Sequence, residues 1–387
     1  MIIQVLFWLS IFAIFHSYVL YPAILHILAS GKLENTNVYD LTENLPSVSI
    51  LVAAYNEEEF IEEKIRSVFS GNYPLEKIEL IVGSDGSTDR TNKILEKLSI
   101  EFDSLHFIPL NSRMGKGNVL NTIFKEARFE LIVYTDAKVI LKPDTIFELI
   151  KNFKEPSIGL VGGKLLNKVY KSSGISIQEN AFMSREFVMK HQEGLIWGSM
   201  VGAYGALYAV RRKLVPVIPF AFIVDDFYIT LKVFEGNDKL ILNPQAIGYL
   251  NVPNEMKEEF RRKVRIAKGN FQNLFAFSHI LWPVWKGKSF SYFSHKVLRW
   301  LGPFFILAVF ISNLFLLEIS EIYMYCLGIQ LFLFIIPAID YVLRKFGIHV
   351  LFLRFISHFY GMNAALLAGF FNYLKGIKSN VWEPTRR

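Results

Sequence analysis

The stretch "VSILVAAYNEE", Val48 to Glu58, decides how the rest of the 387-residue chain is read. Its first seven residues are apolar or small and rich in β-branched side chains, without polar alternation. That is the pattern of a short strand covered on both faces. At Tyr55 the chain turns polar, and "NEEEFIEEKIRSVFSG" then shows helical spacing at Phe60, Ile61, Ile65, Val68 and Phe69. Acidic residues occupy the first turn of that helix and Gly71 follows its end, as helix termini favour.

The alternation continues downstream. "IELIVGS" (78–84), "LHFIPL" (105–110) and "FELIVYT" (129–135) read as strands, separated by the helices "STDRTNKILEKL" and "KGNVLNTIFKEA". Such a series predicts an α/β fold, Rossmann-like, with a mostly parallel sheet and helices on both faces. Ligands bind such sheets at the carboxyl ends of the strands. Tyr55-Asn56-Glu57, Ser84-Asp85-Gly86, Arg113 to Asn118 and Asp136 all fall on that rim. Each loop also has a plain structural reading. Asn56 is a candidate cap for the first helix, and Ser87 or Thr88 for the second, with Gly86 supplying a positive φ. Asp85 sits before those caps begin. "RMGKGN" lacks P-loop spacing, but it is a flexible turn at a helix start, where Lys116 and free backbone N–H groups could meet an anion.

Apolar residues are concentrated at 2–29 and 297–374, with most of the charge between. Residues 5–29 hold no Lys, Arg, Asp or Glu and are long enough to cross a bilayer. A cleaved signal peptide would have a basic start and a shorter apolar core, whereas this chain opens with "MIIQ". A retained anchor over 1–30 is therefore expected, with further spans at 300–317 and 322–343. The acidic "EISE" between those two and the basic "RKFGIH" after them place Glu318 and Glu321 outside and Arg344 and Lys345 inside. Residues 31–255 then form a cytoplasmic domain, followed by amphipathic interface helices over 256–295 and an apolar membrane region over 296–375. Segment 349–374 carries Arg354, His358 and Asn363, and spanning would place the basic tail 376–387 outside. A re-entrant or interfacial segment is expected there. The net charge of +7 suits anionic lipid heads, and no nucleic-acid motif is present. The single Cys326 excludes a disulfide framework and a thiol metal site.

"VSILVAAYNEE", "SDGSTD", "GKGN" and "YTDAK", in this order and spacing, resemble the inverting family 2 glycosyltransferases of the GT-A fold. "GAYGALYAVRRKLV" (202–215) looks like the family's acceptor-side strand with its flanking Arg. "VDD" (224–226) is similar to the Thr-Glu-Asp motif whose last carboxylate is the catalytic base. "RRKVRIAKGN" (261–270) sits where membrane polysaccharide synthases of the cellulose, chitin, hyaluronan and poly-GlcNAc type carry Gln-x-x-Arg-Trp. The resemblance covers about residues 46–295.

It implies a donor site made by Ala54, Tyr55, Asn56, Glu57, Asp85, Lys116, Asp136 and Arg265. Asp85 would hold the uracil or ribose of a UDP-sugar, with Tyr55 and Glu57 lining the same pocket. Asp136 would be the first carboxylate of an Asp-x-Asp pair that binds Mg²⁺ or Mn²⁺ across the diphosphate. Asp226, with Asp225 beside it, would take the proton from the acceptor hydroxyl, and Gly205, Arg262 and Ile266 would lie on the acceptor or diphosphate side. These residue types suit the chemistry. An acceptor oxygen attacks the anomeric carbon opposite the departing diphosphate, so one carboxylate must act as base and positive charge must meet the leaving group. "DFYITLKVF" (226–234) reads as a helix, which puts Asp225 and Asp226 at its positive end; a plain N-cap would account for one of the pair.

Two positions depart from the family pattern. Lys138 stands where the second carboxylate belongs, and an ammonium cannot ligate a hard cation. The expectations open there are a metal held by Asp136 with diphosphate oxygens, an ammonium that itself neutralises the diphosphate, or a lysine in solvent. Ile266 replaces the tryptophan of processive members and offers no stacking face for a sugar. The expected function is that of a multi-pass cell-membrane glycosyltransferase, its catalytic domain cytoplasmic, moving a sugar from a nucleotide-sugar to a lipid-linked or polysaccharide acceptor. Repeated and single transfer both stay open. A polyprenyl-phosphate sugar transferase and a non-catalytic nucleotide-sugar-binding membrane protein are the alternatives.

Overall fold

The computed structural model describes residues 1–167, 176–250 and 256–377. The end of the basic tail, including "WEPTRR", lies outside the described residues. Eight strands form one sheet: β1 Val48–Ala54, β2 Ile78–Ser84, β3 Leu105–Pro109, β4 Leu131–Thr135, β5 Ile140–Leu141, β6 Ile158–Asn167, β7 Leu207–Arg211 and β8 Lys239–Leu250. Their order is β3-β2-β1-β4-β7-β6-β8-β5. The first four pair in parallel, as the strand-helix alternation requires. Beyond β4 the sheet is mixed, because β7 runs antiparallel to both β4 and β6, and β5 runs antiparallel to β8. Only β6 and β8 restore a parallel pair in that half.

β1 shows why its sequence does not alternate. All seven residues are buried, with Val48, Ile50, Val52 and Ala54 in one core and Leu51 and Ala53 in the other. Successive side chains of a strand face opposite sides, so a strand with helices above and below must be apolar on both. The helices are α1 Ile2–Ala29, α2 Ile61–Phe69, α3 Thr91–Glu101, α4 Lys116–Glu126, α5 Thr145–Ile150 and α6 Ser176–Trp197. They continue as α7 Asp225–Glu235, α8 Met256–Ala276, α9 Gly287–Trp300, α10 Gly302–Leu314, α11 Glu321–Lys345 and α12 Leu351–Leu374. The first core takes Ile61 and Ile65 of α2, Leu95 of α3 and Ile146 of α5. The second takes Val119 and Ile123 of α4, Phe227 of α7, Phe271 of α8 and Trp300 of α9, and so ties the sheet to the apolar helices.

Among the described residues three helices, α1, α11 and α12, are long and apolar enough to cross a membrane. One expectation changes here. The chain over 300–317 does not form one straight span; α10 has 13 residues, about 20 Å of helix against a hydrocarbon core of about 30 Å. It meets α9 at a bend of 61°, and only together do they pass the same test of length and composition. Segment 349–374, expected to be interfacial or re-entrant, contains one unbroken helix of 24 residues, a form that an interfacial segment shares with a spanning one. Its polar side chains do not need water, because they turn into the protein. His358 Nε2 lies 2.7 Å from Glu179, Asn363 donates to Phe359 O, and Arg354 reaches His349. α12 lies close on α8 at Gly369, where a Cβ would fall 2.4 Å from Ala267 Cβ.

Candidate active site

The carboxyl ends of β1 and β4, the start of α4 and the start of α7 surround a cavity of about 510 Å³. Asp136, at the end of β4, is held from two sides. Its backbone N–H donates to Ala206 O, and its Oδ1 accepts from Lys116 Nζ at 2.7 Å. Lys116 opens α4 after Gly115, whose φ of +87° is open to glycine at little cost. The ammonium lies 3.8 Å from Asp225 Oδ2 as well. Burial opposes its charge, but Asp136, Asp225 and Asp226 outweigh that and hold it well above the ordinary lysine range.

Asp225 and Asp226 begin α7, where free N–H groups favour negative charge. Asp226 is nevertheless pushed up to about 6, by burial first and by Asp225 next, with Lys116 and the Phe227 N–H opposing. A carboxylate so tuned is ionised near neutral pH and basic enough to take a proton. Beneath this group Tyr134 and Tyr208 stack at 5.0 Å, and burial pushes both phenols up and keeps them neutral. Arg265 and Ile266 of α8 also line the cavity, as does Gly205, which lies against Asp226.

The structure brings Glu57, Lys116, Asp136, Gly205, Asp225, Asp226, Arg262, Arg265 and Ile266 onto this one cavity. It does not bring Ala54, Tyr55, Asn56 or Asp85 there. Asp85 is fully buried, and its carboxylate accepts from Met114 N–H at 2.5 Å and Gly115 N–H at 3.1 Å. It therefore shapes the turn that presents Lys116. Asn56, with φ +51°, caps no helix but accepts from Thr88 N–H at 2.8 Å, and Asp89 rather than Ser87 or Thr88 bonds the first turn of α3, through Thr91 N–H. Arg113 stacks 3.6 Å over the Tyr55 ring. Arg262 is held by both oxygens of Glu259 at 2.7 and 2.8 Å.

Lys138 is not a solvent lysine. Its ammonium lies 3.4 Å from Glu57 Oε2 and 5.2 Å from the Phe60 ring centre, at the edge of the same cavity. Lys64 supports this loop from below, donating to Thr135 Oγ1 at 2.8 Å and to Val139 O at 2.7 Å. It is fully buried, and burial lowers its ammonium to about 7 against the pull of Asp136. The sequence reading passed over it, although its position between Ile61 and Ile65 on the apolar face of α2 was a signal. Lys190 and the Tyr134–Tyr208 pair were also missed; in sequence they look like ordinary helix and core residues.

Among the described residues no group of three His, Cys, Asp or Glu side chains can hold a metal ion. Asp136 is a single hard oxygen ligand, with Lys116 on one oxygen and 39% of its side chain exposed. That fits a cation brought by a diphosphate and completed by Asp136, since Mg²⁺ commonly takes one or two protein carboxylates beside phosphate oxygens.

Residues 49–215 match the family described as Glycosyl transferase family 2. The poly-beta-1,6-N-acetyl-D-glucosamine synthase of Staphylococcus epidermidis is 28% identical over 255 residues, 64% of this chain and 60% of that protein. The synthase of the same name from Staphylococcus aureus (strain COL) is 27% identical over 238 residues, 60% of this chain and 56% of that protein. The alignments thus span less than two thirds of those curated relatives. A solved structure of the mannosyltransferase PcManGT from Pyrobaculum calidifontis, in complex with GDP-Man and Mn²⁺, superposes with a TM-score of 0.69 at 19% identity. It covers 96% of this chain and 99% of that one, and at this identity the likeness is one of fold. Residues 49–215 are thus similar to a glycosyl transferase family 2 domain, and the chain has the GT-A fold.

Proposed function

We propose that this protein is a membrane-bound inverting glycosyltransferase that moves a sugar from a UDP-sugar to a lipid-linked or polysaccharide acceptor at the cytoplasmic face. One observation carries the reading: a single cavity holds Asp136, Asp225, Asp226, Lys116 and Arg265 and continues to Tyr18, Met362 and Leu366 on helices long and apolar enough to cross a membrane. The relatives named for N-acetylglucosamine polymers make UDP-N-acetylglucosamine the first donor to try. The basic Arg344 and Lys345 at the end of α11, against Glu321 at its start, support the cytoplasmic orientation.

In this mechanism Asp226 takes the proton from the acceptor hydroxyl as its oxygen attacks the anomeric carbon, from the face opposite the diphosphate. Lys116 and Arg265 meet the negative charge that develops on the leaving diphosphate. Asp136 positions Lys116 and is the residue that would hold a divalent cation. When bound, that cation supplies further charge neutralisation on the diphosphate. Lys138, anchored by Glu57, adds positive charge at the position where the family's second carboxylate would stand.

The test is release of UDP from a panel of UDP- and GDP-sugars on membranes containing the protein, with Asp226→Asn as control. The reading expects release from one UDP-sugar above all and its loss in the variant. Equal release by Asp226→Asn would reject Asp226 as base.

A further inference from the structure

The cavity that holds Asp226 continues to a second group of cations, on α6 and α9, that the donor chemistry leaves unused. Lys190 of α6 is 5% exposed, and its ammonium lies 3.8 Å from the centre of the Tyr204 ring. Among the described residues it makes no hydrogen bond and has no carboxylate within 4.0 Å. Lys296 and Arg299 of α9 both reach Glu186, Lys296 at 2.6 Å, and the buried Nε of Arg299 has no partner among the described residues. His295 sits between Glu186 at 3.0 Å and Glu193 at 2.7 Å. Glu193 is engaged by His295 and Tyr21, and Glu186 by Lys296, Arg299 and His295, so that among the described residues neither pairs with Lys190. Holding excess positive charge away from water is costly unless an anion completes the group.

Two further features point to the kind of anion. Lys116 is already committed to Asp136 and Asp225, whereas Lys190 stands with Lys296 and Glu186; Asp226 acts on both lysines. The second cation group is thus distinct from the donor's. Its surroundings turn apolar along Trp300, Met362 and Leu366, which line the same cavity from α9 and α12. A free anion has no use for that wall, and an amphiphile does.

We propose that Lys190, Lys296 and Arg299 form a subsite for the phosphate of a lipid-borne acceptor, whose apolar chain runs along Met362 and Leu366 and whose nucleophile reaches Asp226. This rests on the reading of Asp226 as the base and names the acceptor class for it. Here the phosphate positions the acceptor and takes no part in bond making.

The test is equilibrium binding of farnesyl phosphate, farnesol and inorganic phosphate to the purified protein in uncharged detergent. Farnesyl phosphate is expected to bind about tenfold or more tightly than farnesol, as a charge-assisted contact gives. Lys190→Gln closes that gap, Lys190→Arg restores it, and both variants bind UDP as the parent does. Should Lys190→Gln fail to fold, Lys296→Gln carries the same comparison. Equal binding of farnesyl phosphate and farnesol overturns the proposal, as does a gap that survives in the Gln variant. Inorganic phosphate binding as tightly as farnesyl phosphate overturns its lipid part. The donor reading is judged separately: UDP release lost from every donor, with the farnesyl phosphate preference intact, rejects that reading and leaves the subsite standing.

Discussion

Gly205 stands where any Cβ would fall 2.3 Å from Asp226 Oδ2. The glycine is therefore a condition for the position of the Asp226 carboxylate, which rests directly on the backbone of the loop leading into β7. Lys116 and Lys190 line the same cavity, and the negative charge of Asp226 acts on both.

Gly205→Ala should therefore act on chemistry rather than on binding. The added methyl must displace the Asp226 carboxylate, and misplacing a general base forfeits a contribution of roughly 10²- to 10⁴-fold. The expected outcome is a fall in kcat of about 100-fold or more, with UDP affinity by calorimetry within twofold of the parent. Unchanged kcat would show that the base is elsewhere.

The pH dependence follows from Asp226. Its carboxyl is raised to about 6, so below that pH it is protonated and cannot accept a proton. The rate should climb with pH through about 6 and level off above it. Lys116 opposes this rise, so Lys116→Met should move the rising limb to higher pH while also weakening donor binding. A limb that stays in place in Lys116→Met would separate the two groups.

A divalent cation should matter, and weakly. EDTA is expected to lower turnover and Mn²⁺ to restore it, with Asp136→Asn insensitive to both. Lys138→Asp supplies a second hard oxygen in place of the ammonium, so it should lower the Mn²⁺ concentration that half-saturates UDP binding by about tenfold. Titrating Mn²⁺ against UDP binding checks this apart from activity. Indifference of the parent to both EDTA and Mn²⁺ would leave Lys116, Lys138 and Arg265 as the whole answer to the diphosphate charge.

Much of this was legible in the sequence, and the reasons differ by residue. Val48–Ala54 and Ile78–Ser84 were read to the residue because a strand buried on both faces leaves an unbroken apolar run. The place of Asp225 and Asp226 at a helix start was legible because "DFYITLKVF", which opens on Asp226, carries helical spacing. The mixed half of the sheet was not, since β7 takes its direction from the crossover that α6 makes before it, and no local pattern records that. The hold of Asp85 on Met114 and Gly115 was not legible, because a rim position fits both a ligand contact and a turn anchor. The break at Leu301 was hidden inside an apolar run, where hydropathy is blind to direction. Lys64 and Lys190 were missed because their partners, Thr135, Val139 and the Tyr204 ring, are distant in the chain or undistinguished in it.

Glu179 gives the last prediction, on how the part of the chain that carries the sheet is fastened to the apolar helices. It is 1% exposed on α6 and meets His358 of α12 at 2.7 Å and Lys263 of α8 at 3.2 Å, with Arg262 at 3.8 Å. Burial alone would raise its carboxyl, but Lys263, His358 and Arg262 outweigh burial and hold it down to about 2. A carboxylate depressed in the folded state stabilises above its unfolded value, near the ordinary 4.5, and that contribution is lost as the pH falls towards about 2. Glu179→Gln removes one partner of a buried cluster and leaves Lys263 and Arg262 with Glu259 alone, a loss on the order of 3 kcal/mol. Thermal unfolding in detergent should show a lower Tm for the variant at pH 7, and a difference that narrows as both proteins are taken from pH 5 towards pH 2.5. If the gap keeps its full size across that range, the fastening does not depend on the charge of Glu179, and packing such as that of Gly369 on Ala267 holds the three helices together instead.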